Sequence, residues 1–342
     1  MRSLKKIFSS LLFLALALLV PASAHAAVGT HLGAGDPGTQ ISVMNDLIGN
    51  RPGFPVTIMA DMGLSAETLG QLAEAAQNNG LFPIVRINYA CTVDSGEAIA
   101  MVERVKAAFG SDVIITFGNE VNNGSSDDAG CTDWLRYASN YRSVAGLGNI
   151  SPSALDWYMG DPAYNAQLFL DTAGMNGDYS SARIRTANAY GCINQTSSSC
   201  DPSNTDTQNI GLQGTGGSEL YVTEFSLSPG GDDPPDKDLD NVRTFIQKYA
   251  GSTGAIHVTP LVRNVCAELQ SEGEWLVYVD GDFFTWGGKK VDTNCTTITT
   301  GIGDGGYDLS DFPEYTVDKN RFYLQPLSGM LSGERDVDKI RK

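Results

Sequence analysis

Two patterns of apolar and polar residues take turns along this chain. Short runs rich in β-branched and other apolar residues, which are typical of strands, alternate with stretches whose apolar residues keep helical spacing. The run VTIMADMG (56–63), for instance, comes just before SAETLGQLAEAAQNN (65–79). In that second stretch Leu69 and Leu72 lie on one helical face, and Ser65 can cap the helix N-terminus. The two segments therefore predict a strand followed by an amphipathic helix.

The same alternation extends over most of the chain and gives eight strand candidates. They are residues 29–33, 56–63, 82–90, 113–120, 149–156, 182–191, 219–229 and 254–264. Helices are predicted between them at 65–79, 97–110, 133–145, 162–173 and 239–249. Strands that alternate with helices pair in parallel, so we expect an α/β fold, and the strand count favours a (β/α)8 TIM barrel. An open doubly wound sheet is the alternative, but the sequence lacks its usual glycine-rich phosphate-binding turn.

Residues 265–318 do not follow the alternation. The stretch WLVYVDGDFFTWGG (275–288) alternates apolar and polar residues around Asp280-Gly281, which predicts a β-hairpin. A glycine- and aspartate-rich loop, GIGDGGYD (301–308), follows it. We interpret 265–318 as a C-terminal hairpin and loop decoration between the last strand and a final helix at about 319–332.

The first 26 residues predict a secretory signal peptide. A basic start precedes the apolar run IFSSLLFLALALLV (7–20), and Ala24-His25-Ala26 fits a small-x-small cleavage site. The alternative, a membrane anchor, needs about 20 apolar residues, and this run is shorter. We therefore expect a single catalytic barrel over 27–342 that is secreted to the periplasm or the extracellular space, with no membrane association after cleavage.

The acidic composition limits the kinds of partner that the protein can bind. Removal of the signal peptide takes away Arg2, Lys5 and Lys6, so the formal net charge moves from −17 to −20. Nucleic acid is a poor partner for such a surface, because phosphate binding needs a basic patch. The composition favours a soluble, monomeric exported protein that acts on neutral material. No cofactor is expected.

Six cysteines behind a signal peptide predict disulfides, although six cysteines allow fifteen pairings. One pair would close a loop rich in serine, asparagine and glutamine. In a barrel the loops after the third and fourth strands are neighbours, which favours a second pair, and the third pair would flank the hairpin. The three pairs are Cys192–Cys200, Cys91–Cys131 and Cys266–Cys295.

Two glutamates come after apolar runs that otherwise exclude charge. Glu120 ends the fourth strand candidate, VIITFGNE, and Glu224 follows the apolar run of the seventh. In a barrel such positions point into the mouth where the loops gather. A buried carboxylate is costly unless it is paired or functional. Two carboxylates that face each other across a pocket are what glycosidic bond cleavage requires.

At these residues the sequence resembles the clan A glycoside hydrolases, retaining enzymes on the (β/α)8 barrel. Members carry Asn-Glu at the end of the fourth strand and Glu at the end of the seventh, as FGNEVNN and YVTEFSLSP do here. The resemblance implies that Glu120 is the acid/base and Glu224 the nucleophile. It implies that Asn119 binds the sugar 2-hydroxyl, that Tyr190 in TANAYG hydrogen-bonds the nucleophile and that Arg86 in IVRINYA orients it.

The sequence also departs from that family. Members commonly place a tryptophan at the end of the eighth strand, whereas AIHVTPLVRN has none. Trp275 or Trp286 of the hairpin could fold over the mouth instead. Asn188 stands where many members carry a histidine before the tyrosine.

Other polar and aromatic residues are candidates for sugar binding. Asp61 and Asn88 end the second and third strands, and Asp61 could instead cap the next helix. Tyr89, Trp157 and Trp286 could stack on sugar faces or belong to ordinary packing. For Arg86 the alternative is an ion pair that spans the barrel.

Other chemistries find little support. The mature chain has only His31 and His257, so neither a three-histidine metal site nor an HExxH site can be built. The acidic stretch GGDDPPDKDLD (230–240) could bind calcium, but a solvated loop is the simpler interpretation. The leading hypothesis is a retaining hydrolase of β-linked oligo- or polysaccharide. The alternatives are an inactive barrel that binds carbohydrate at a cell surface and a calcium-stabilised adhesin.

Overall fold

Parallel strands and flanking helices form the frame of the protein. The computed structural model describes residues 27–33, 36–122, 131–155, 166–191, 219–227 and 238–298. The strands of the frame are β1 (Ala27–Val28), β2 (Thr30–His31), β3 (Pro55–Asp61), β4 (Phe82–Asn88), β5 (Ile114–Asn119), β6 (Ile150–Ala154), β7 (Ile184–Gly191), β8 (Glu219–Leu227) and β9 (His257–Pro260). The α-helices are α1 (Pro37–Ser42), which a π-helical turn over Val43–Ile48 continues, α2 (Ala66–Asn78), α3 (Ser95–Phe109), α4 (Trp134–Val144), α5 (Ala166–Ala173), α6 (Asn176–Ser181) and α7 (Leu239–Tyr249).

The first barrel strand joins two parallel sheets. The sheets run β2-β3-β4-β5-β6 and β1-β9-β8-β7. On one side, Ala27 of β1 pairs with His257 of β9. On the other side, β2, which begins two residues after Val28, pairs with β3. Gly29 separates the two halves, and a Cβ there would lie 1.7 Å from the carbonyl oxygen of Pro55. Only glycine lets the chain pass so close to its neighbour.

The other junction of the two sheets lies between β6 and β7. There the Ser151 hydroxyl accepts the Thr186 N–H at 2.8 Å and lies 3.0 Å from the Thr186 hydroxyl. With both junctions closed, the strands form the (β/α)8 barrel that the sequence predicted, and the eight predicted strands are confirmed.

The barrel separates an apolar outer layer from an interior that becomes polar toward the mouth. Outward-facing strand residues such as Val85 and Phe117 pack with Met101 of α3 and Tyr137 of α4. Inside, the first residues of the strands form an apolar plug at the amino-terminal end. The plug consists of Phe82, Ile84, Ile114, Ile184 and Tyr221. Polar side chains lie above it, which leaves the carboxyl-terminal end for chemistry.

An antiparallel sheet follows the last barrel strand. Its strands are β10 (Val262–Arg263), β11 (Trp275–Val279), β12 (Asp282–Phe284), β13 (Lys290–Val291) and β14 (Thr297–Ile298). Tyr278 and Phe283 pack with Phe245 of α7, whereas Val277 and Phe284 pack with the α1 region. The sheet therefore fills the outer layer between α7 and α1.

The predicted hairpin at Asp280-Gly281 is confirmed. Both residues have positive φ, 52° and 86°, as a two-residue type I′ turn requires. Val279 pairs with Asp282 across the turn. The loop 301–308 and the helix at about 319–332, both predicted from the sequence, lie outside the described residues.

Two of the three expected disulfides are present. Cys91–Cys131 ties the loop after β4 to the segment before α4, with Cα atoms 5.2 Å apart. Cys266–Cys295 fastens the antiparallel sheet to the end of the barrel, with Cα atoms 5.3 Å apart. The third pair, Cys192–Cys200, lies outside the described residues, as does the signal peptide 1–26. Among the described helices, none combines the length and apolar character needed to cross a membrane.

Stability is expected to fall in mild acid because of His257. This side chain packs against Phe82 and Tyr221, and burial lowers its pKa to about 4. Since the unfolded histidine keeps a pKa of about 6.5, the unfolded chain binds more protons between those values, and stability falls as pH falls. Over the full pH interval between these two pKa values, the free energy of unfolding falls by roughly 3 kcal/mol. Urea unfolding of wild type and His257→Gln at neutral pH and at pH about 4 measures this effect. An equal acid-induced loss in both proteins would contradict it.

Candidate active site

The carboxyl-terminal ends of five strands bring most of the sequence-predicted site residues to one mouth. Because parallel strands end at the same edge, side chains far apart in sequence meet there. The residues are Asp61 of β3, Arg86 and Asn88 of β4, Asn119 of β5 with Glu120 after it, Tyr190 of β7 and Glu224 of β8. Asn188 of β7 is the register partner of Glu224. Trp157 lies outside the described residues.

Glu224 is buried and held on both oxygens. The residue is 4% exposed, and its carboxylate forms an ion pair with Arg86, whose Nη1 donates to Oε1. The Tyr190 hydroxyl donates to the other oxygen, Oε2. Charge-assisted hydrogen bonds of this kind fix orientation as well as adding energy. Glu224 is thus a carboxylate of defined position with its countercharge beside it, which suits a nucleophile.

Tyr190 lies close to both glutamates. Burial, then the negative charges of Glu224 and Glu120, raise the pKa of Tyr190 well above its ordinary value. The hydroxyl therefore keeps its proton and remains a hydrogen-bond donor at physiological pH. Tyr190 donates to Glu224, and Asn188, two residues earlier on the same strand, donates to Glu120, so the two carboxylates share one end of the barrel.

Glu120 occupies a strained turn directly after β5. Its φ is 44°, in the left-handed region, and Gly118 two residues earlier has a φ of 91°. The Glu120 N–H donates to the carbonyl of Ala154 at 2.8 Å, which holds the turn against β6. A left-handed residue other than glycine costs about 1–2 kcal/mol, and such strain collects at functional sites.

Asn188 positions Glu120 and was not among the residues that the sequence assigned to the site. Its Nδ2 donates to Glu120 Oε1 at 2.8 Å and to Asn119 Oδ1 at 3.2 Å. Its Oδ1 accepts from the Thr223 hydroxyl at 3.1 Å, which sets the direction of the amide. The sequence held one signal for this role, since Asn188 comes two residues before Tyr190 and faces the same side of the strand.

Asp61 does not cap the following helix, so that alternative is wrong. Ser65 caps α2 by accepting the Thr68 N–H at 3.1 Å. Asp61 is exposed at the end of β3 and accepts from Asn88 Nδ2 at 3.1 Å. Asn88 is 4% exposed.

Trp286 is half-buried and lines a pocket of about 420 Å³ beside α1. The other residues around that pocket are Thr39, Ser42, Ser271, Glu272, Gly273 and Gly287. Neither Glu120 nor Glu224 lines that pocket.

His31 adds a buried neutral group below the mouth. The Gly33 N–H donates to His31 Nδ1 at 2.7 Å, which leaves the proton of the ring on Nε2. Burial and the nearby Arg86 charge hold the pKa of His31 well below its ordinary value of 6.5. The described residues contain no group of three histidine, cysteine or acidic side chains arranged to hold a metal ion.

Comparison with known proteins finds similarity to solved structures. No protein-family model matches the chain, and no curated protein matches it. The chain is similar to a GH39 β-xylosidase from Caulobacter crescentus at 13% identity and TM-score 0.45, covering 71% of this chain but only 63% of the xylosidase. It is also similar to a GH128 subgroup II endo-β-1,3-glucanase from Sorangium cellulosum, at 14% identity and TM-score 0.47 over 77% and 96% of the two chains.

A third similar structure is that of fungal β-1,4-galactanases, at 12% identity and TM-score 0.46 over 81% and 95% of the two chains. All three are glycoside hydrolases. At such identities the likeness is one of architecture.

Proposed function

We propose that this protein is an exported glycoside hydrolase that cleaves β-linked oligo- or polysaccharide by a retaining double displacement. The observation that carries the proposal is the environment of Glu224, a buried carboxylate held by Arg86 and Tyr190. Asn188, two residues before Tyr190 on the same strand, holds Glu120. The catalytic unit is one barrel over 27–342, released by removal of residues 1–26.

The two glutamates divide the chemistry. Glu224 attacks the anomeric carbon and forms a glycosyl ester, while Glu120 gives its proton to the departing glycosidic oxygen. Water then enters, Glu120 takes a proton from it, and the new hydroxyl displaces Glu224 from the sugar. Arg86 and Tyr190 keep Glu224 oriented for both steps, and Asn119 offers its amide to the sugar hydroxyl beside the reacting carbon.

The hydrogen bonds of β7 hold both carboxylates beside the same strand. Asn188 binds Glu120 and Tyr190 binds Glu224. These two residues are neighbours on one strand face, which places them about 7 Å apart. Carboxylates held by adjacent anchors lie within reach of one glycosidic bond, as sugar cleavage by two carboxylates requires.

A hydrolysis assay tests the proposed function. Purified wild-type protein and the variants Glu120→Gln and Glu224→Gln are assayed with aryl β-glycosides and with β-linked glucan, xylan and galactan. Glu219→Gln is the matched control, because Glu219 lies on the same strand at the opposite end of the barrel. We expect wild type and the control to hydrolyse these substrates, and both site variants to lose that activity. Sugar binding without turnover in all four proteins would instead indicate a carbohydrate-binding barrel.

Replacing Asn188 is expected to change the pH profile. In Asn188→Ala the ionised form of Glu120 loses its donor, so Glu120 holds its proton to higher pH. The basic limb of kcat/KM should therefore move to higher pH. Thr223→Val, which removes the hydroxyl that orients the amide, should move it less in the same direction. A uniform loss of activity at every pH would show that Asn188 is only structural.

A further inference from the structure

We propose that the ends of β3 and β4 form a binding subsite for an uncharged sugar unit of the substrate. Its parts are Asp61, Asn88 and Tyr89. This inference rests on the proposed function and deepens it, because the subsite determines which class of glycan the mouth accepts.

Asn88 faces the barrel interior at the mouth and has an unused acceptor. Asp61 and Asn88 are the last register partners of β3 and β4. Asn88 comes two residues after Arg86, so both side chains lie on the interior face. Its Nδ2 donates to Asp61 Oδ1 at 3.1 Å, whereas its buried Oδ1 has no hydrogen-bond partner within the described part of the chain. A buried acceptor without a donor is costly, which indicates that a ligand group completes it.

Tyr89 presents an exposed aromatic ring on a constrained loop at the same edge. It is 41% exposed and has a φ of 61°, a left-handed conformation that is an outlier for a bulky residue. The N–H and hydroxyl of Thr92 both donate to its carbonyl, at 3.1 and 2.8 Å. The Cys91–Cys131 disulfide fastens this loop to the chain beyond Glu120. An exposed ring on so constrained a loop is a prepared surface, since little conformational entropy is lost on binding.

The chemistry of the three residues selects the ligand. Asn88 Oδ1 and the Asp61 carboxylate are acceptors, so the ligand must bring donors such as hydroxyl groups. The ring of Tyr89 requires an apolar face, which the C–H side of a sugar ring supplies. A carboxylate or sulfate here would meet the charge of Asp61, and the nearby cation, Arg86, is already bound to Glu224. The subsite therefore favours neutral sugars over uronic acids and sulfated sugars.

Calorimetric titration of the mature chain carrying Glu120→Gln tests the subsite without turnover. The probes are neutral β-linked tetra- to hexasaccharides of glucose, xylose and galactose, and oligogalacturonides of equal length. We expect the neutral sugars to bind more tightly than the oligogalacturonides. Adding Tyr89→Ala should weaken neutral binding about tenfold, whereas Tyr89→Phe, which keeps the ring, should preserve it. Adding Asp61→Asn should narrow the gap between the two classes.

Ile256→Ala is the matched control, because Ile256 is 42% exposed but precedes β9 at the opposite end of the barrel. Melting temperatures confirm that each variant is folded. Unchanged binding in Tyr89→Ala, oligogalacturonides bound as tightly as neutral sugars, or no sugar binding at all would overturn the inference. If sugar binding depends on Tyr89 but wild type shows no turnover, the subsite is supported and the hydrolase proposal is refuted. If wild type turns over substrate but binding does not depend on Tyr89, the hydrolase proposal is supported and the subsite is refuted.

Discussion

Glu224→Ala is expected to lower turnover on the order of 10⁴-fold or more, because the variant lacks the group that attacks the sugar. The space left beside Arg86 and Tyr190 can admit a small anion. Azide should therefore restore part of the activity with an activated aryl glycoside and form a glycosyl azide. Product analysis by mass spectrometry and proton NMR measures both the rescue and the configuration of the azide product, which should be inverted relative to the substrate.

Two controls make this result specific. Glu224→Gln keeps the shape of the side chain but fills the space, so azide should not rescue it. Glu120→Ala removes the acid/base instead, so an azide product formed in that variant should retain the configuration of the substrate. Full activity of Glu224→Ala without azide would contradict the assignment of the nucleophile.

Arg86→Leu is expected to destabilise the fold by about 3–5 kcal/mol and to abolish activity. The Arg86 and Glu224 side chains are only 3% and 6% exposed, so the substitution leaves a carboxylate inside the barrel without its countercharge. The double variant Arg86→Leu with Glu224→Leu should recover much of the stability and none of the activity. Urea unfolding gives the free energies of unfolding.

An exposed ion pair provides the comparison for Arg86. Arg142 pairs with Asp178 at 2.8 Å on the surface, where the arginine side chain is 49% exposed. Such pairs are worth at most about 1 kcal/mol, so Arg142→Leu should change stability little. Equal effects of Arg86→Leu and Arg142→Leu would show that the buried pair does not anchor the barrel.

The sequence predicted the fold where local pattern determines structure. Apolar runs and helical spacing are properties of neighbouring residues, so the strands and the hairpin at Asp280-Gly281 could be read from the chain. Glu120 and Glu224 stood out because a charge at the end of an apolar run is rare. Their roles remain a proposal that the assays above test.

Other features depend on contacts that no local pattern records. The break at Gly29 follows from the approach of Pro55, and the position of the antiparallel sheet follows from packing on two distant helices. The left-handed backbone of Tyr89 and Glu120 runs against the preference of both residue types, so the sequence gives no sign of it. The hydrogen bonds of Asn188 to Glu120 and Asn119 depend on the packing of β5 against β7, which no local pattern shows.

Covalent labelling tests the central assignment most directly. Wild-type protein is incubated with an activated 2-deoxy-2-fluoro glycoside of whichever sugar it hydrolyses, which slows release of the covalent intermediate, and its peptides are mapped by mass spectrometry. The account predicts one added sugar, attached to Glu224 and absent when Glu224 is replaced by glutamine. A sugar attached to another carboxylate, or rapid hydrolysis with no covalent label at all, would contradict it.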